Sequence, residues 1–133
     1  MRANTISLVI LALLSPETAA ILVTTTNNAA TLAAAIFNSP GVTFSGASFV
    51  GAAAAAGTFT EGPFGIGSGA ILTSGAAAGA LVGGNTMVQN AASGSTWCGA
   101  GNTLDGSVLT VDILVDTGYS GVLVNFILGS ADA

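Results

Sequence analysis

The run Ser107–Asp116, SVLTVDILVD, constrains this chain more than any other part of it. Leu109, Val111, Ile113 and Val115 recur at every second position, with Val108, Thr110, Asp112, Leu114 and Asp116 between them. A period of two places the first set on one face of an extended strand. Thr117–Gly121, TGYSG, reads as a turn. Beyond it Val122, Val124, Phe126 and Leu128 resume the alternation, so residues 108–128 are predicted to form an antiparallel hairpin with one apolar face.

Upstream elements are shorter. Ile21–Thr24 reads as a strand, and Thr26, Asn27 or Asn28 caps a helix over 29–37, with Leu32 and Ile36 on one face and Ala33 and Phe37 beside them. Asn38-Ser39-Pro40-Gly41 ends it. Val42–Gly51 is extended, favoured by Val42, Phe44, Phe49 and Val50. Ala52–Ala56 is closed by Gly51 and Gly57 and is too short to stand as a helix, so it reads as a tight connection or helical turn. Gly57–Thr60 and the AILTS run at Ala70–Ser74 are further strands. Residues 76–103 are mostly loop, with Trp97 as the anchor into a core. The fold class expected is mainly β, an antiparallel sheet or β-sandwich-like arrangement with one short N-terminal α-helix after a signal peptide.

Charge excludes several functions. Of 133 residues, Arg2 is the only basic one; Lys and His are absent, while Glu17, Glu61, Asp105, Asp112, Asp116 and Asp132 are acidic. Binding nucleic acid requires cations to displace the phosphate counterions, and this chain has none to offer. A polybasic contact with anionic lipid fails for the same reason. With 51% hydrophobic residues, the chain is too apolar for the composition of disorder, and its length suits one domain at most.

The first 20 residues have the layout of a secretory signal. Arg2 supplies a positive start, Ile6–Leu14 an apolar stretch, and Thr18-Ala19-Ala20 the small residues a signal peptidase accepts. The apolar stretch is about half the roughly 20 residues that cross a bilayer. Cleavage is expected after Ala20 or Ala19, leaving residues 21–133 as an exported domain with five acids and no basic side chain. No later segment is long and apolar enough to span a membrane.

Catalytic chemistry finds little support. Gly65–Ala80, GIGSGAILTSGAAAGA, fits a loose dinucleotide fingerprint, but it precedes a strand-like run where that fingerprint must open a helix. A Walker loop needs Lys. The glycines are therefore read as turn residues around a buried strand, with no nucleotide. Ser or Cys nucleophiles lack an imidazole partner. Asp112 and Asp116 share a strand face, but four residues separate their backbones by roughly 13 Å, beyond the roughly 5–9.5 Å of glycosidase carboxyl pairs. Asp105, Asp112, Asp116 and Asp132, with Asn102 and backbone carbonyls, are the hard oxygen donors calcium takes. No EF-hand or nonapeptide spacing organises them. They are read as solvated acids that keep an otherwise uncharged surface soluble, with no catalytic, cofactor or metal site assigned. Cys98 is either a free buried thiol, an intermolecular link, or half of a disulfide with a partner beyond residue 133.

In order, TTTNNAATLAAAI, VTFSGASFVGAAAAAGTFT, GIGSGAILTSG followed by Gly84-Asn85, and LDGSVLTVDILVDTGYSGVLVNFILGS resemble the N-terminal part of a choice-of-anchor L domain. That family comprises modules of exported and surface proteins with differing C-terminal anchors. The resemblance covers nearly all of residues 21–133 but only about the first half to two thirds of such a domain, so a truncated product or fragment is expected. It implies that the partner of Cys98 and the anchor belong to the absent portion. Ser130-Ala131-Asp132-Ala133 keeps the Ser and one acid of the family's Ser-acidic-acidic-aromatic signature, and Ala131 departs from it. The function expected is a secreted or cell-surface structural or adhesion module without catalytic activity, whose partners are other surface proteins or glycans. The alternative is an extracellular carbohydrate-binding or hydrolase domain using Asp105, Asp112, Asp116 and Trp97.

Overall fold

Asn28 starts helix α1 (Ala29–Ile36). Its backbone is extended, its Oδ1 accepts a 3.0 Å hydrogen bond from the Thr31 N–H, and its own N–H donates to Thr26 Oγ1 at 3.2 Å. One of the helix's orphan donors is thereby satisfied, as an N-cap requires. Leu32 and Ala33 are fully buried and Ile36 half-buried, so the apolar face read from the sequence is the one that packs. The computed structural model describes residues 21–80, Thr96, Gly99 and residues 104–129; the expected signal peptide (1–20), Trp97, Cys98, Asn102 and Asp132 lie outside the described residues.

Among the described residues, five strands lie beside this helix in two antiparallel sheets. The first sheet has the order β1 (Leu22–Thr25), β3 (Ala56–Gly62), β4 (Gly67–Leu72), and the second pairs β2 (Val42–Val50) with β5 (Val108–Val115). Helix α1 touches β3 and β4 of one sheet and β2 and β5 of the other. A two-stranded ribbon alone is marginal in water, and this contact supplies the apolar cover that β2 and β5 need. The mainly β, antiparallel class expected from the sequence is what the chain adopts.

Close contacts within the three-stranded sheet are made at small residues. Leu32 is the one large side chain wholly buried among the described residues; Ala33, Ala55, Ala56 and Ala77 are the other fully buried apolar ones. Gly57 is buried because a Cβ there would stand 2.7 Å from the Thr24 carbonyl oxygen of the neighbouring strand. The alanine run forms a 3-10 turn, Ala53–Ala55, as the flanking glycines led us to expect. Phe59 lies opposite Gly69, whose missing side chain leaves room for its ring.

β2 carries a bulge. Phe44 pairs with Ile113 and Gly46 with Asp112, which leaves Ser45 without a partner position. The extra residue shifts the alternation by one, so that Val42 and Phe44 before it and Ala47 and Phe49 after it all oppose the Leu109–Val111–Ile113–Val115 face of β5. Those four β2 residues are half-buried, whereas Thr43, Ser45, Ser48 and Val50 are exposed. On β5, cover is best at Leu109 and Val111 and declines toward Ile113 and Val115.

Two expectations need correction. Residues 108–128 do not form a hairpin. β5 pairs with β2, some 60 positions upstream, and no strand is formed over 121–129. The reason lies in the turn. Asp116 N–H donates to the Gly41 carbonyl at 2.9 Å, Tyr119 N–H donates to the Asp116 carbonyl at 3.1 Å, and the Tyr119 ring rests on Gly41 at the head of β2. The chain is thus led over the β2 end of the ribbon and away from the outer edge of β5. The strand after the glycine comb is also not buried: β4 lies at the edge of its sheet, with Gly69 its only buried residue and Leu72 40% exposed.

Candidate binding surface

The aspartates come first, because the sequence nominated them. Asp112 and Asp116 lie at and just beyond the exposed end of β5. The Asp116 carboxylate accepts a long hydrogen bond, 3.4 Å, from Thr43 Oγ1. The Asp112 carboxylate covers Gly46, and its backbone carbonyl accepts from Ser45 Oγ at 3.5 Å. Asp105 sits before β5 with φ of 58°, half-buried. The following Ser107 donates through Oγ to the Thr73 carbonyl at 2.8 Å, tying this corner to the end of β4. Among the described residues no three acidic or sulfur side chains gather as a metal group would. The structure gives Asp112 and Asp116 local contacts along the β2–β5 ribbon, and Asp105 stands apart at the corner before β5.

Of the glycine comb Gly65–Ala80, Gly65 lies in the connection from β3 to β4, whereas Gly67 and Gly69 belong to β4 itself and are not turn residues outside the strand. Gly65 and Gly67 have φ of 80° and 71°, in the region open to glycine, and a Cβ on either would meet nothing within 4 Å. Ile66 N–H donates to the Pro63 carbonyl at 3.3 Å and Ser68 N–H to the Ile66 carbonyl at 2.8 Å. The start of the comb is a strand-to-strand turn, and the rest of it runs through β4 and on to a 3-10 turn at Ala77–Gly79.

Phe64 occupies the tip of that turn. Its φ is 55°, a left-handed conformation that costs an L-residue roughly 1–2 kcal/mol, and its ring is 89% exposed. Facing it across an open cleft of about 470 Å³ are Val124, Asn125, Phe126 and Ile127. Leu123, Phe126 and Leu128 are 87%, 83% and 91% exposed, so this segment displays the apolar side chains that the hairpin was expected to cover. A strained backbone holding a large ring in solvent, beside a contiguous apolar segment, is the feature of this surface that packing among the described residues does not explain. Sequence reasoning passed over Phe64. The signal was present in Pro63-Phe64-Gly65, where proline and glycine bracket the aromatic residue at a turn.

No protein-family model matches the chain, and comparison with curated proteins and with solved structures likewise yields no match. No helix among the described residues is long and apolar enough to cross a membrane.

Proposed function

We propose that this chain is a secreted or cell-surface module of the choice-of-anchor L kind, structural or adhesive in role and without catalytic activity. The observation that carries the reading is Phe64, held at a left-handed φ and almost wholly exposed beside Val124–Ile127. Left-handed backbone at a bulky residue is retained where the displayed side chain has work to do, and an apolar patch of this kind marks a contact surface. Support also comes from the sequence, which has no His and no Lys with which to activate a nucleophile or relay a proton.

The test has two arms. In a secreting host the product should be found in the medium with Ile21 or Ala20 as its first residue; retention in the cell with Met1 intact would sink the export half. The purified chain should adsorb to an alkyl-coated sensor surface, and Phe64→Ser with Phe126→Ser should lower that adsorption several-fold at unchanged far-UV circular dichroism. If instead the parent chain binds or hydrolyses glycans, and Asp105→Asn, Asp112→Asn and Asp116→Asn together abolish this, the carbohydrate reading replaces the adhesive one.

A further inference from the structure

The segment 122–128 and strand β5 are a donor and an acceptor with no pairing between them. β5 is hydrogen-bonded on one side only, to β2, so its outer edge has unpaired backbone N–H and C=O groups among the described residues. Such an edge is a template for another strand. The segment VLVNFIL has the alternation of a strand, contains no charge, proline or glycine, and lies exposed without a ladder partner. Within one molecule the Asp116–Tyr119 turn prevents their meeting, because Tyr119 is seated on Gly41 at the β2 side of the ribbon.

From this juxtaposition we infer that the chain self-associates, with residues 122–128 of one copy pairing antiparallel with the outer edge of β5 in a second copy. The exchange is reciprocal, so a two-fold pair satisfies both edges and leaves neither donor over. Such pairing follows the arrangement a local hairpin would have had. Val122, Val124, Phe126 and Leu128 of one copy then oppose Val115, Ile113, Val111 and Leu109 of the other, apolar against apolar. On the opposite face Asn125 meets Asp112, an amide donor against a carboxylate acceptor. The neutral segment brings no charge toward Asp112 or Asp116, and that match favours a second copy over a partner bearing acids. This inference rests on the structural-module reading above, and a monomeric chain would refute the pairing while leaving that reading intact.

Light scattering on the purified chain measures the first outcome: a mass of two chains is expected, and a mass of one chain across the micromolar range overturns the proposal. Val124→Pro removes a ladder N–H and should return the mass to one chain with the far-UV spectrum of β1–β5 retained. Directness is tested by mixing two variants, Asp112→Cys in one and Asn125→Cys in the other, each with Cys98→Ser. Mild oxidation should link them into a covalent heterodimer, faster by at least tenfold than either variant links with itself. A chain bearing both substitutions that cross-links only within itself would show hairpin closure and overturn the exchange, as would a dimer that Val124→Pro leaves unchanged.

Discussion

At Gly57 the structure tolerates no side chain. The position is buried in the middle of the three-stranded sheet, and a Cβ would lie 2.7 Å from the Thr24 carbonyl oxygen and 3.2 Å from Val23 Cγ1. A backbone atom cannot swing aside as a side-chain tip can, so Gly57→Ala must push β1 and β3 apart. We expect a loss of about 1–3 kcal/mol, read as a lower urea midpoint at constant slope; an unchanged midpoint would mean β1 yields without cost. The sequence places Gly57 beside a strand but does not say which neighbour approaches it. The cap at Asn28 was legible because its bond reaches only three residues ahead. Phe64 was not, since its exposure depends on how β3 and β4 meet.

At the scale of the element, the bulge at Ser45 decides the β2–β5 ribbon. Without it, Val42 and Phe44 would face one way and Ala47 and Phe49 the other, because their separation is odd. Deleting Ser45 makes that separation even, so all four residues stay on the β5 face in a regular ladder. Full burial of a Val or Phe contributes roughly 1.5–3 kcal/mol each, and none of that burial is lost, so the deletion should leave stability within about 1 kcal/mol of the parent. Ser45→Ala keeps the ladder and should change stability by less than about 0.5 kcal/mol. Thermal or urea unfolding of the two variants side by side checks this, and a loss above about 2 kcal/mol on deletion would mean that a pair had turned outward. The alternation of 108–115 was readable as a strand from its period alone. Its partner was not, because a following segment of matching period offered a local answer, and the turn at Tyr119 directs the chain elsewhere.

Across the whole molecule, cohesion rests on apolar contact and backbone hydrogen bonds, since residues 21–133 contain no Lys, Arg or His side chain to form ion pairs with the acids. Salt at 0.5 M shortens the screening length to about 4 Å and weakens surface ion pairs where they exist. Here it can only relieve repulsion among the acids. Raising NaCl from 0.05 to 0.5 M should leave the urea midpoint unchanged or raise it slightly, and a fall would contradict this account. Scarcity of large buried side chains among the described residues has a second consequence: with Ala and Gly at the close contacts the three-stranded sheet relies on backbone proximity, and Phe64, Leu123, Phe126 and Leu128 are left at the surface.

The class of structure was legible in local pattern alone: the periods of the apolar residues, a cap ahead of Ala29 and the glycines near the turns act over a few positions and require no distant partner. The sequence also shows that neither His nor Lys is among its 133 residues. Which strands pair, that the glycine comb leads into an edge strand, and that Phe64 and 122–128 are exposed among the described residues were settled at tertiary range. Those outcomes depend on contacts across tens of residues, where the fit of Tyr119 on Gly41 and of β5 on a bulged β2 outweighs what each segment favours locally.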